Sequence, residues 1–128
     1  MIKLKTIQRA NPLDATAPKK FYVSTQSAGE VTLEEISELI SEKCTLTETD
    51  VLAALNALTK EMTTHLMDGK IVRFGTFGSF QLGLRSNGVV TEAETSRLQV
   101  RGARVKFRPG RRIEDSLLRL KYSLVSNQ

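Results

Sequence analysis

The chain has 128 residues, a formal net charge of +5 at pH 7 and a single cysteine, Cys44. This length fits one domain that can bury a core without disulfides or metal ions. The lone cysteine excludes an intramolecular disulfide and leaves a thiolate zinc site without enough ligands. No stretch has the apolar length of a signal peptide or a membrane span, so the sequence predicts a soluble, cytoplasmic protein.

Charge is distributed unevenly along the chain. Residues 30–50 hold seven acids and one base, a net charge of −6, whereas residues 97–121 hold nine bases and two acids, a net charge of +7. A basic segment of this density is a candidate surface for a polyanion such as nucleic acid.

The first elements predicted are two strands that form an N-terminal ribbon. Apolar and charged residues alternate from Ile2, and a second strand-like segment runs from Lys19 to Thr25. Residues 11–18 lie between them and contain two prolines, which is typical of a loop. We expect the two strands to pair with each other.

Two helices joined by a short connection follow the ribbon. The segment Thr32–Glu35 has the form of a capping box, and apolar residues then recur at helical spacing until about Cys44. Thr47 precedes acids in the first turn of a longer apolar stripe, which predicts a second helix. Asp68-Gly69 predicts the end of that helix.

A strand-rich segment comes next. Ile71 to Phe80 is rich in β-branched and aromatic residues and is interrupted by glycines, which predicts one bent or bulged strand. Leu82 and Leu84 continue its alternation, and Asn87-Gly88 is a turn signal.

The remaining elements are a helical turn from Thr91, a strand from Leu98 to Pro109 and a final helix from Arg111 to about Leu124.

Alternation in the returning strand separates charge from apolar side chains. Val105 and Phe107 alternate with Arg104, Lys106 and Arg108. Because successive side chains of a strand point to opposite faces, one face packs on the core and the other displays positive charge.

The order β-β-α-α-β-β-α and two motifs resemble the HU and integration host factor family of bacterial histone-like DNA-binding proteins. Arg73-Phe74-Gly75-Thr76-Phe77 stands in the place of the family's Gly-Phe-Gly-Thr-Phe, and the segment Val105–Arg111 stands in the place of its Phe-Lys-x-Gly-Lys segment. With its added ribbon, the chain is most similar to the longer HU-like proteins of the Bacteroides group.

The resemblance implies an α+β fold in which two N-terminal helices pack under an antiparallel sheet with a C-terminal helix. Residues 1–30 would be an N-terminal β-ribbon extension, residues 31–124 the HU-like domain and residues 125–128 a tail. The β-arm is expected to be shortened, because residues 86–90 lack the proline-containing tip of the family's arm.

The resemblance also implies a non-catalytic, nucleoid-associated homodimer. Such a protein binds the backbone and minor groove of double-stranded DNA with little sequence preference. We expect no cofactor, metal ion, small-molecule substrate or membrane partner. The candidate DNA-binding residues are Arg104, Lys106, Arg108, Arg111, Arg112, Arg101, Arg97 and Arg85.

Other interpretations of the same residues remain open. The fold could serve as a dimerisation or protein-interaction module that has lost DNA wrapping, with an apolar sheet face at Phe80, Leu82 and Leu84. The cations could also be ordinary solvated charges. A helix-turn-helix reader is disfavoured, because Glu48 and Asp50 would meet the phosphates.

Overall fold

A computed structural model of the chain describes residues 1–125 and has a mixed α+β architecture. Two compact units are present: Met1–Thr32 together with the segment from Leu117 onward, and Leu33–Ser116. Residues 126–128 of the predicted tail lie outside the described residues.

The elements in chain order are β1 Ile2–Arg9, β2 Lys20–Thr25, α1 Leu33–Ser41, α2 Glu48–Met67, β3 Val72–Phe74, β4 Gly78–Ser86, β5 Val100–Pro109, α3 Arg111–Leu117 and β6 Tyr122–Leu124.

The first unit is a three-stranded sheet with the order β2-β1-β6. The predicted pairing of β1 with β2 is confirmed, and it is antiparallel from Leu4 opposite Thr25 to Arg9 opposite Lys20.

The prediction of a final helix reaching Leu124 is wrong. The helix ends at Leu117, and β6 instead pairs in parallel with β1. The Ile2 amide donates to the Lys121 carbonyl at 2.7 Å, and the Val125 amide donates to the Leu4 carbonyl at 2.8 Å. The apolar spacing that suggested a longer helix is overridden by backbone pairing along the edge of β1.

In the second unit, α1 and α2 pack against each other. Thr47 caps α2 as predicted, because its hydroxyl accepts from the Asp50 amide at 3.2 Å. The helix also ends where the sequence places its stop, with the Gly69 amide donating to the Leu66 carbonyl at 3.0 Å. Among the described residues, the buried apolar side chains are Val51 and Leu66.

The segment that was predicted as one bent strand is a hairpin. β3 and β4 are separate strands that pair from Val72 opposite Phe80 to Phe74 opposite Gly78. The Phe77 amide donates to the Phe74 carbonyl at 3.1 Å, and Gly75 adopts a φ of 54° in the turn. The glycines therefore reverse the chain instead of bending it.

β5 completes this sheet in the order β3-β4-β5, and it begins and ends close to its predicted limits. Asn87-Gly88 does not form a tight hairpin. Two 3-10 turns, Glu92–Glu94 and Arg97–Gln99, lie between β4 and β5, and the first is the predicted helical turn. Gln99 closes this loop, because its side-chain amide donates to the Asn87 carbonyl at 2.7 Å while its own carbonyl accepts from the Asn87 amide at 2.9 Å.

Candidate nucleic-acid interface

The register of β4 against β5 sorts their side chains onto two chemically different faces. Phe80 lies opposite Phe107 and Leu82 lies opposite Val105, whereas Gln81 lies opposite Lys106. Since paired residues of an antiparallel sheet point to the same side, apolar pairs alternate between the faces with pairs that contain one cation. The predicted separation of charge from apolar side chains in β5 is confirmed and extends across the sheet.

The apolar face carries a cluster of four phenylalanines. Phe80 stacks on Phe107 with 4.8 Å between ring centroids, Phe77 lies 5.4 Å from Phe107, and Phe74 meets Phe77 edge-on at 5.8 Å. These are ordinary distances for aromatic pairs, which stabilise a fold beyond their buried area. The cluster holds the hairpin of β3 and β4 against β5 and so fixes the opposite face.

That opposite face, here called the basic face, carries five exposed cations from three strands: Arg73, Arg85, Arg104, Lys106 and Arg108. Arg73 and Arg108 both lie opposite Ser79, so they flank it across the three strands. Within residues 1–125, no ion pair involves any of the five. Their charge is therefore available to an external anion.

The Lys106 side chain runs along the basic face over Gly83 of the neighbouring strand. A Cβ added at Gly83 would meet the Lys106 side chain, whose Nζ would lie 3.2 Å away. The neighbouring pair, Gly83 opposite Arg104, thus leaves a shallow path for the lysine stem along the basic face. An aliphatic stem lying on a sheet with its ammonium group in water is common for lysine.

Arg111 and Arg112 belong to the first turn of α3 and not to the sheet. The start of this helix is tied to the β3–β4 turn, because the Gly110 amide donates to the Phe77 carbonyl at 2.7 Å and the Arg112 amide donates to the Thr76 carbonyl at 3.2 Å. Arg112 also lines an open cavity of about 530 Å³ together with Arg73 and the turn. Arg111 lies 3.8 Å from the Asp115 carboxylate, which offsets part of its charge.

Besides Arg111 and Arg112, two more predicted residues lie outside the basic face. Arg101 lies at the register shift where Arg85 pairs with Gly102 and Ser86 pairs with Val100, so it has no cross-strand partner. Arg97 is in a 3-10 turn outside the sheet. Sequence reasoning missed Arg73, although its position between Val72 and Phe74 carries the same alternation that identified the cations of β5.

Other reactive side chains are isolated. His65 is about half exposed, and its Nε2 lies 3.5 Å from the Glu61 carboxylate one helical turn away. Within the part of the chain that the structure describes, no three metal-binding side chains come together. None of the helices formed by residues 1–125 has the length and apolar character needed to cross a bilayer.

A comparison with known protein families identifies the family of this chain. Residues 1–123 match the sequence model of HU-HIG, a family described as an HU domain fused to a wHTH, Ig or glycine-rich motif. The chain belongs to the HU-HIG family. Its fold is accordingly the HU-like α+β fold, and the matched residues include the N-terminal ribbon.

A solved structure supports the same fold. The HU-HIG chain is similar to a protein from Bacteroides vulgatus ATCC 8482, described as a candidate bacterial DNA-binding protein, with a TM-score of 0.63 and 12% sequence identity. The similarity covers 98% of this chain and 49% of the other, so this chain spans about half the length of the solved protein. No curated protein sequence gives a match.

Proposed function

We propose that this chain is a non-catalytic, sequence-tolerant DNA-binding protein whose basic face contacts the phosphates of double-stranded DNA. The observation that supports this most strongly is the exposed row of Arg104, Lys106 and Arg108 on β5, which alternates with an aromatic face and has no acidic partner among residues 1–125. Arg111, Arg112, Arg85, Arg97 and Arg101 would extend the same contact, with Arg73 added from β3.

The spacing of this row suits a phosphate backbone. Side chains two residues apart on a strand are separated by about 6.6 Å. Successive phosphates of one DNA strand rise by about 3.4 Å along the helix axis, and because they also turn about that axis, their separation in space is larger than this rise. The long, flexible side chains of Arg104, Lys106 and Arg108 can therefore each reach a phosphate of the duplex. Contacts of this kind carry no sequence information, which accounts for sequence tolerance.

We also infer that the chain acts as a homodimer. The solvent-accessible surface of the single chain is 11227 Å². A compact monomer of this mass would have a surface of about 6,800 Å², and two separate compact units of 44 and 84 residues would together have about 8,100 Å². The excess of about 3,000 Å² is of the order that an obligate interface covers. Apolar side chains along α1 and on the apolar sheet face are part of this exposed surface, since Leu39 is 50% exposed and Phe107 is 42% exposed.

The role that we propose for the chain is nucleoid-associated and architectural, and it needs no cofactor, metal ion or small-molecule substrate. In this role the chain is divided, as expected, into an N-terminal ribbon at residues 1–30 and an HU-like domain at residues 31–124. Binding through phosphates and the minor groove requires charge and shape but no nucleophile.

The test is fluorescence anisotropy with two duplexes of unrelated sequence over a salt series. Five or six phosphate contacts predict a slope of about −5 for log K against log salt concentration, with little difference between the duplexes. The charge-reversal variant R104E/K106E/R108E should lose binding while sedimentation still shows a dimer. The matched variant K43E/K60E/K70E makes the same change in net charge at exposed lysines outside the basic face and should keep most of the binding.

A protein-interaction module is the second candidate. It is favoured by one observation: Leu84, on the apolar face, is 61% exposed. If the wild-type protein binds neither duplex at low salt, DNA binding is wrong and this apolar face becomes the surface to test. If sedimentation shows only monomers across the accessible concentration range, the homodimer is wrong.

A further inference from the structure

The net positive charge of the chain resides entirely in the ribbon unit. Residues 33–116 contain twelve acids and twelve bases, so their net charge is zero, although this segment holds the whole basic face. Residues 1–32 and 117–128 contain seven bases and two acids, which gives the +5 of the full chain. The ribbon unit is thus the more basic of the two, relative to its size.

Strand register places four of these bases on one side of the ribbon sheet. Lys3, Lys5 and Arg9 alternate along β1, and Lys20 lies opposite Arg9. Tyr22 shares this side, because it lies opposite Ile7. We call this side the ribbon face.

The other side of the sheet is mainly apolar. It carries Ile2, Leu4, Phe21, Val23, Tyr122 and Leu124 beside the polar Thr6, Gln8 and Thr25, as the pairings of β1 with β2 and with β6 show. The same period-two alternation that builds the basic face therefore builds a second face of like chemistry in the other unit.

The closed end of the ribbon adds a concave site to this face. A cavity of about 320 Å³ is lined by Arg9, Lys20 and Tyr22 together with the loop between β1 and β2. Asp14 is the acid of that loop, but it does not line the cavity, and its carboxylate accepts hydrogen bonds from the Thr16 amide at 3.0 Å and the Thr16 hydroxyl at 2.6 Å. Two cations and a half-exposed ring thus surround a space that is suited to a sugar-phosphate group.

We propose that the ribbon face is a second DNA-binding surface, which contacts the phosphodiester backbone through Lys3, Lys5, Arg9 and Lys20. This inference rests on the proposed DNA binding and adds a surface to it. Lys3 and Lys5 are two residues apart on β1, so they have the same spacing of about 6.6 Å as the cations of β5, and their long side chains can reach phosphates in the same way. Tyr22 offers a ring against which a deoxyribose can pack.

The layout favours DNA over an anionic membrane. Binding to a bilayer surface uses apolar side chains that enter the lipid beside the cations that meet the headgroups. In the ribbon the large apolar residues lie mainly on the side opposite the lysines, so the sheet cannot present both to one bilayer. A polyanion with a regular charge spacing needs only the basic side.

Two tyrosines on opposite sides provide a direct test. The chain has two tyrosines and no tryptophan; Tyr22 lies on the ribbon face and Tyr122 on the apolar side. In the full chain labelled with 3-fluorotyrosine, titration with duplex DNA should shift the fluorine resonance of Tyr22 and leave that of Tyr122 in place. The variants Y22F and Y122F assign the two resonances. An unmoved Tyr22 resonance at saturating DNA would overturn the proposal.

Salt dependence gives the second test. The variant K3Q/K5Q/K20Q should lower the log–log salt slope by about 2.7 for each ribbon face in contact, since each phosphate contact contributes about 0.9. The control K43Q/K60Q/K70Q removes the same charge by the same substitution at exposed positions of the other unit and should leave the slope close to that of the wild type.

The outcomes separate the two proposals. Wild-type binding with equal slopes for the two lysine variants overturns the ribbon surface alone. Absence of wild-type binding overturns the proposed function, and the ribbon surface with it. If K3Q/K5Q/K20Q loses binding to phosphatidylserine vesicles while its DNA affinity is unchanged, the ribbon face is a membrane surface and the proposal is wrong.

Discussion

Replacing Gly110 by alanine tests the contact that places α3 and its arginines beside the sheet. A Cβ at this position would lie 2.7 Å from the Thr76 carbonyl carbon and 2.9 Å from the Gly78 amide nitrogen. Both atoms belong to the backbone of the β3–β4 hairpin, so no side-chain rotation can relieve the overlap. The hairpin and the start of α3 must move apart.

The cost has two parts. Overpacking of this kind destabilises a fold by about 1–3 kcal/mol. Separation also weakens the 2.7 Å hydrogen bond from the Gly110 amide to the Phe77 carbonyl, which contributes about 1 kcal/mol. We expect G110A to lose about 2–4 kcal/mol of unfolding free energy, and each kcal/mol lowers Tm by about 4–8 °C for a unit of this size.

Thermal and urea unfolding at a fixed protein concentration measure this loss, because the stability of a dimer depends on concentration. The matched control is G102A, which makes the same substitution on β5 where nothing lies within 4 Å of the added Cβ. We expect G102A to stay within about 0.5 kcal/mol of the wild type. If G110A and G102A unfold at the same temperature, the close approach of Gly110 to the hairpin does not exist in solution.

Two further predictions concern local hydrogen bonds. T47A removes the hydroxyl that caps α2 and should lower the free energy of unfolding in urea by about 1 kcal/mol. The control is T49A, which makes the same substitution two residues later. Equal losses of unfolding free energy in the two variants would contradict the capping role. Hydrogen bonding from the Thr16 hydroxyl, and then from the Thr16 amide, holds the pKa of Asp14 below its ordinary value. These hydrogen bonds therefore stabilise the fold at pH values above the ordinary pKa of an aspartate, and this stabilisation is lost as the pH falls through the lowered pKa of Asp14. T16V should raise the pKa of Asp14 in an NMR titration, and an unchanged pKa would show that the hydroxyl is not the main cause.

Local signals in the sequence were sufficient where an element depends on its own residues. Thr47 and Gly69 mark the ends of α2 because capping needs only side chains and backbone within one turn. The alternation around Lys106 predicts both faces of β5, because side-chain direction in a strand follows from position alone. The order of the first elements was accessible for the same reason, whereas the α+β class followed from the resemblance to the HU family.

The sequence was insufficient where a distant segment decides the structure. Tyr122–Leu124 becomes a strand because β1, at the other end of the chain, offers it an edge, and no local pattern records that pairing. Arg73 was missed because Ile71 to Phe80 was interpreted as one strand, whereas the turn at Gly75 brings Arg73 beside Ser79 and into the row that contains Arg108. Register, and therefore the membership of each face, requires the pairing to be known.

Net charge is a poor guide to partners in this chain, and the two sheets show why. The acids of residues 30–50 cancel the bases of residues 97–121 in the sum, but exposed charges farther apart than a Debye length of about 8 Å at physiological salt are largely screened from each other. A phosphate at the basic face therefore responds to Arg104, Lys106 and Arg108, not to the charge of the whole unit. The same reasoning makes K43Q/K60Q/K70Q the decisive control: if its effect on DNA binding equals that of K3Q/K5Q/K20Q, the ribbon lysines act only through total charge and the ribbon face is not a specific surface.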